Sequence, residues 1–427
     1  MKPTSHPGDP VVSDRAETEP TGEGPAGPRR VALVLLALAT AVGSAGLAAG
    51  GTAGALLGAE LAGTEAAGLP LGALVVGQAA SAVLVSRGTA RIGRGRSLAL
   101  GYVLGIVGAA VVILAALGGS FAALLAGSAA LGAGNTAVFM ARYAAAEAGG
   151  GAARGRALGV VLFSIALGAV ASPGLLGPSG EAARAVGLPP LAGLYLVAIL
   201  CFGVAALLLS AASNPKTPYL GRGGRLLGPP CGPRVTREEI VVGMDAPSAR
   251  VAVLALAATN LVMVAVMAVA PVHLVAHDGH GLGPVGIVVG LHVAGMFAPS
   301  PVSGWAADRV GPAAVVGVGF LLMAASGFLG VLLDTGALAP MTLVLLALGV
   351  GWNLGAVGGS AMLAGSVPRR LRAHIEGIGE VSMGLAAGAG APIAGLVVAF
   401  GGFAALSLAG ALVATTAALV LALACRP

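Results

Sequence analysis

The chain has 427 residues, of which 57% are hydrophobic and only 9% charged. A soluble protein carries about 25% charged residues, so a water-exposed globular domain is excluded, and the recurring apolar runs of about 20 residues point to helices in a bilayer. The net charge of +6 does not mark a nucleic-acid binder, because Arg and Lys gather in short loops between apolar runs, where they set topology.

Residues 1–28 are rich in Pro, Gly, Glu and Thr and read as a disordered cytoplasmic tail, too acidic for the start of a signal peptide. Apolar spans are expected at about 31–57, 68–86, 97–118, 119–146, 156–177 and 189–212, forming one bundle over 29–212. A polar segment, 213–249, carries Lys216, Arg222, Arg225, Arg234 and Arg237 and reads as a cytoplasmic central loop. Six further spans, at about 250–274, 283–304, 313–334, 338–366, 375–399 and 402–424, form a second bundle over 250–427. Glycine is abundant, at 71 residues, and aromatics make up only 4%. Small residues let helices approach closely in a membrane, which favours a packed bundle over a barrel. Twelve spans put both termini on one side, together with Arg87 to Arg96, Arg154, Arg156, Arg309 and Arg369 to Arg372; the other side holds Arg184. The positive-inside rule makes the charged side cytoplasmic, in a cytoplasmic (inner) membrane. Cys201, Cys231 and Cys425 form no metal or redox spacing.

The halves repeat. Ser86 to Arg94 (SRGTARIGR) and Gly304 to Pro312 (GWAADRVGP) follow the second and eighth spans, with Arg91 and Arg309 in equivalent places. Pro173 and Pro392 stand at almost the same separation, as an internal duplication requires. Gly304-x-x-x-Asp308-Arg309-x-Gly311 resembles the loop motif of the major facilitator superfamily, and the first-half loop is its degenerate twin, with Ala90 where the acid would stand. The fifth span, with Gly159, Gly168, Ser172, Pro173 and Gly177, is similar to that superfamily's antiporter motif, which allows close packing and a bend. The resemblance implies an all-α membrane protein with twelve transmembrane helices in two pseudo-symmetric six-helix bundles, working by alternating access as a secondary transporter. It also implies a conformational latch on Gly304, Asp308, Arg309, Gly311 and Arg91. An Asp there can pair with Arg or with a helix N-terminus of the other bundle; the basic residues also suit anchoring to lipid headgroups.

Ala141 to Glu147 (ARYAAAE), Gly351-Trp352-Asn353 and His292 to Pro301 further resemble a branch of CcoA-like copper importers. That resemblance places a ligand path on Met263 and Met267, and on His292 and Met296. Each pair is spaced to share one helix face, and thioether and imidazole donors suit Cu(I). His273, His277 and His280 would stand at the outer mouth; the latter two also read as solvated turn residues. Methionine equally fills gaps in apolar cores. Asn135, Asn260 and Asn353 either line a central cavity or hydrogen-bond between helices. Glu376 and Glu380 are proton-relay candidates, or acids favoured near a helix N-terminus. With no P-loop and no nucleophile–base set, enzymatic chemistry is not expected. The expectation is copper uptake, with Cu(I) as cargo and no permanently bound cofactor, by a monomer whose partners are the bilayer and its solute; the alternative is a proton-coupled exporter of drugs or metabolites.

Overall fold

The computed structural model describes residues 26–47, 53–63, 66, 68–150, 153–171, 175–213, 235–274 and 282–424. Among them no strand occurs. The first half comprises α1 (Ala26–Ala45), short α2 (Gly54–Ala62), α3 (Leu69–Ile92), α4 (Arg94–Gly118), α5 (Phe121–Gly149), α6 (Arg154–Ala171), short α7 (Leu176–Ala185) and α8 (Gly193–Ala212). After α9 (Arg237–Asp245), the second half comprises α10 (Pro247–Val272), α11 (Leu282–Phe297) and α12 (Ser300–Val310), α13 (Pro312–Leu332), α14 (Leu338–Gly365) and α15 (Arg369–Ala424). Nine segments of the described residues are long and apolar enough to cross a membrane. One of these, α15, is divided by Gly402, whose φ of 70° is non-helical; α1 and α6 complete twelve crossings.

The duplication is visible in the packing. α4 lies along α5 and α8 as α13 lies along α14 and α15, and α1 meets α6 as α10 meets α15. The loop motifs owe their last glycine to backbone geometry. Gly93 and Gly311 both have φ of 91°, a region that a Cβ disfavours, and there α3 and α12 stop and the chain reverses into the next helix.

Three features differ from the sequence expectation. Helix α1 begins at Ala26, inside the segment read as a tail. The central segment contains α9, started by a reciprocal cap in which Glu239 N–H donates to Thr236 Oγ1 (3.2 Å) and Thr236 N–H to Glu239 Oε2 (2.9 Å). The eighth span is two helices, because Pro299 and Pro301 remove backbone donors between α11 and α12.

Candidate functional site

The two halves meet closely at one end. Gly155 of α6 and Gly304 of α12 touch backbone to backbone, and a Cβ on either would collide with the other's carbonyl. Beside them the Asp308 carboxylate accepts from Gly155 N–H (2.6 Å), Arg156 N–H (3.0 Å) and Arg156 Nε (3.3 Å). Asp308 of the second half thus sits on the N-terminus of α6 in the first, where free N–H groups and the helix dipole favour an anion.

A second link lies across the same end. Buried Arg94, at the start of α4, pairs with Glu147 of α5 (3.0 Å) and Glu376 of α15 (2.7 Å). Glu147 also takes Arg369 (2.6 Å), and Ser86 Oγ donates to Ala373 O (2.6 Å). Arg91, by contrast, is exposed and makes no ion pair among the described residues. Of the two arginines flanking the first-half motif glycine, the one that faces the other bundle is therefore Arg94, not Arg91. The reason is turn geometry: Gly93 starts a new helix, and its first turn carries Arg94 inward. Arg309 is exposed and lies over the Trp305 ring, 5.7 Å from its centre.

Toward the opposite end the halves part around a cavity of about 750 Å³, within the range of roughly 300–1,000 Å³ typical of small-molecule sites. Its walls are largely apolar and include Leu71, Val75, Met263, Met267 and Met296; its polar groups are Gln78, Thr136, Arg142, Asn260, Trp352 and Glu380. Arg142, only 2% exposed, forms an ion pair with Glu380 across the two halves. Its Nε donates to Ser360 Oγ (2.9 Å), Nη1 to Phe139 O (2.8 Å) and Nη2 to Tyr143 O–H (3.2 Å), which itself donates to Glu380 (3.2 Å). The guanidinium also lies 4.6 Å from the Tyr143 ring centre. Asn260 joins the same region: its Nδ2 donates to Met383 O (2.9 Å) and its Oδ1 accepts from Trp352 Nε1 (3.1 Å).

The sequence-expected residues divide. Met263, Met267, Met296, Asn260, Glu380 and Pro392 line this cavity. His292 does not. It is 1% exposed, and its Nδ1 faces the Leu345 carbonyl of α14 at 2.7 Å. A carbonyl only accepts, so Nδ1 carries the hydrogen. The His292–Met296 spacing was expected to aim both side chains at one path; four residues on a helix differ by about 40°, enough to put one in the seam with α14 and one on the cavity. Asn353 is buried between helices, with Nδ2 donating to Met296 O (2.7 Å) and Ser300 Oγ (2.6 Å) and Oδ1 accepting from Ser303 (2.5 Å). It satisfies the polar groups at the α11–α12 break instead of lining the cavity. Asn135 is buried on α5 and is not a cavity residue. His273 stacks on Phe403, with ring centres 4.8 Å apart.

Glu376 and Glu380 lie in the third and fourth turns of α15, which begins at Arg369, so the N-terminal reading of their charge is corrected. Each faces an arginine of the first half. Gly168 packs so closely on α1 that a Cβ would collide with the Ser44 hydroxyl. The non-helical residue of α15 is Gly402, not Pro392. Pro173, His277 and His280 lie outside the described residues. Arg142 is the residue that sequence reading missed: it stands in the quoted ARYAAAE segment, and an arginine inside an otherwise apolar span was itself the signal.

No protein-family model matches the sequence. Two Bacillus subtilis proteins, the uncharacterized MFS-type transporters YddS and YdeG, are similar along nearly the whole chain. YddS is 34% identical over 89% of this chain and 87% of its own length; YdeG is 33% identical over 88% of each. Among solved structures, a bacterial homologue of the iron transporter ferroportin superposes with a TM-score of 0.71 at 14% identity, covering 91% of this chain and 99% of that one. The human organic anion transporter MFSD10 gives 0.70 at 17% identity, over 92% and 99%. These show the shared fold, and the full-length likeness to YddS and YdeG shows the family: the chain is a multi-pass membrane transporter, not an enzyme, and belongs to the major facilitator superfamily.

Proposed function

We propose that this transporter moves a small organic solute in a proton-coupled cycle, with Glu380 as the group that takes the proton. The observation that supports the reading is the Arg142–Glu380 pair, which joins the two halves at the inner end of the cavity. A buried carboxylate is tolerated as an anion only while its countercharge is held. A solute group that engages Arg142 loosens that hold and favours a proton on Glu380; a proton on Glu380 frees Arg142 for the solute. Binding and protonation thereby assist each other through one ion pair. The linked halves at the basic end, which the positive-inside rule makes cytoplasmic, serve as the latch: Asp308 on α6 and the Arg94, Glu147, Arg369 and Glu376 network hold the cavity open to the other side. The test is proton flux in proteoliposomes, with a lumenal pH dye and a panel of organic anions and cations. Solute-dependent flux in the wild type, lost in Glu380→Gln, is expected; equal flux in both ends the coupling role.

A copper reading keeps one supporting observation, the convergence of the Met263, Met267 and Met296 side chains on the same cavity. Thioethers suit Cu(I), while His292 contributes from within a helix seam if at all. Copper-64 uptake lost in Met267→Leu and unchanged in His292→Ala is the pattern this version requires; uptake unchanged in both removes it.

A further inference from the structure

We infer that the cavity has a side entrance within the membrane, between α3 and α15, and that its solute is an amphiphile that arrives through the bilayer. This deepens the transport reading and rests on it for the cavity being the solute path.

The two helices run antiparallel, and the gap between them can be followed along the chain. Near the closed end a Cβ on Gly377 would lie 2.6 Å from Ser86 Oγ, and one on Gly384 would lie 3.3 Å from Ala79 Cβ. The same register then sets Gly388 opposite Val75, Ala391 opposite Gly72 and Gly395 opposite Gly68. A Cβ on Gly388, Gly72, Gly395 or Gly68 meets nothing within 4 Å. The helices therefore touch at one end and splay at the other, over the stretch where Gly72, Val75, Val76, Gly388 and Ala391 form the cavity wall.

The gap faces lipid. Val76 is a cavity-wall residue and yet 69% exposed, and Leu385, on the turn between Gly384 and Gly388, is 66% exposed. In a membrane-spanning helix, exposed branched aliphatic side chains stand against acyl chains. The wall of the cavity is thus continuous with the lipid-facing surface. On the other seam between the halves, Leu162 of α6 and Met296 of α11 line the cavity and are buried.

The chemistry along this route is graded. Arg142, Glu380, Asn260 and Gln78 supply polar groups at the inner end, and Met263, Val264, Met267, Leu71 and Val75 supply apolar wall toward the gap. From Glu380 to Ala391 the helix rises roughly 16 Å. A polar head at Arg142 with an apolar tail lying toward the α3–α15 gap fits that order, and a uniformly polar solute does not.

Trp352 is a built-in reporter, because it lines the cavity and the chain has only two tryptophans. In Trp305→Phe protein reconstituted into vesicles, Trp352 is the sole source of tryptophan fluorescence. 2-Bromoundecanoate, a membrane-partitioned anion that carries its bromine beside the carboxylate and quenches on contact, is expected to quench it strongly. Adding Gly72→Leu and Gly388→Leu, both placed in open space, is expected to abolish most of that quenching while leaving quenching by water-soluble 3-bromopropionate unchanged. No quenching by the long-chain probe, or equal quenching with and without the two leucines, overturns the side entrance. The readout needs neither transport nor a proton gradient, so its failure is separable from failure of the coupling role of Glu380.

Discussion

Arg142 concentrates the energetics of the site in one side chain. Its charge is accommodated by Glu380, Ser360, Tyr143 and the Phe139 carbonyl. Breaking a buried pair by removing one partner costs about 3–5 kcal/mol, while replacing both by apolar groups is often neutral. Arg142→Met is therefore expected to lower thermal stability in detergent by about that amount, and Arg142→Met with Glu380→Met to recover most of it. Recovery without any proton-coupled flux would separate fold from function. His292 makes the opposite prediction. Its one hydrogen bond, to Leu345 O, lies between α11 and α14, so His292→Leu is expected to cost about 1–2 kcal/mol of stability and to leave solute affinity unchanged, as read by tryptophan quenching titration.

At the scale of elements, the contact of α6 with α12 depends on the absence of two side chains. Gly155→Leu or Gly304→Leu drives a wedge between backbones now in contact, and overpacking of this kind costs about 1–3 kcal/mol. The expected result is a population shift away from the closed basic end, seen as longer spin–spin distances between labels at exposed positions 91 and 309. The short α9 offers a pH test outside the membrane. The Thr236 N–H bond, followed by nearby Arg370, holds the Glu239 carboxyl below its ordinary range. A lowered folded-state value means that the cap stabilises α9 above the ordinary glutamate pKa of about 4.3 and weakens as pH falls below it. Limited proteolysis of the central segment is expected to accelerate below that pH, and less so in Glu239→Gln, which starts from a weaker cap.

For the whole molecule, the closed end is joined by charge, and among the described residues no ion pair joins the halves at the open end. Arg94 bridges Glu147 and Glu376, so one substitution removes the partner shared by acids on both halves, unpairing Glu376 and leaving Glu147 with Arg369 alone. Arg94→Met is expected to open the basic end by repulsion among Glu147, Glu376 and their neighbours, raising modification of a cysteine placed at Ser86 by an impermeant maleimide. Unchanged modification would place the hold on Asp308 and the glycine contact alone. In the proposed cycle the rocking of one half on the other passes through Arg142 and Glu380, the one ion pair on the cavity among the described residues, which is why coupling is expected to reside there.

Composition and periodicity determined the membrane class and the twelve crossings, and paired landmarks the internal duplication, because each is a repeated, local property in which many residues agree; the loop motif was read from its family resemblance. The family resemblance, with helical spacing, singled out Met263, Met267 and Met296, and the polar residues inside apolar spans singled out Asn260 and Glu380; all five reach the cavity. It placed His292 and Asn353 less well, since helical spacing gives a face relative to a neighbour four residues away but not which partner helix that face meets. The pairing of Arg142 with Glu380, the use of Arg94 in place of Arg91, and the splay of α3 from α15 were decided only by tertiary structure. Each joins residues from different halves of the chain, and their juxtaposition follows from how two six-helix bundles lean on one another, which no local pattern encodes.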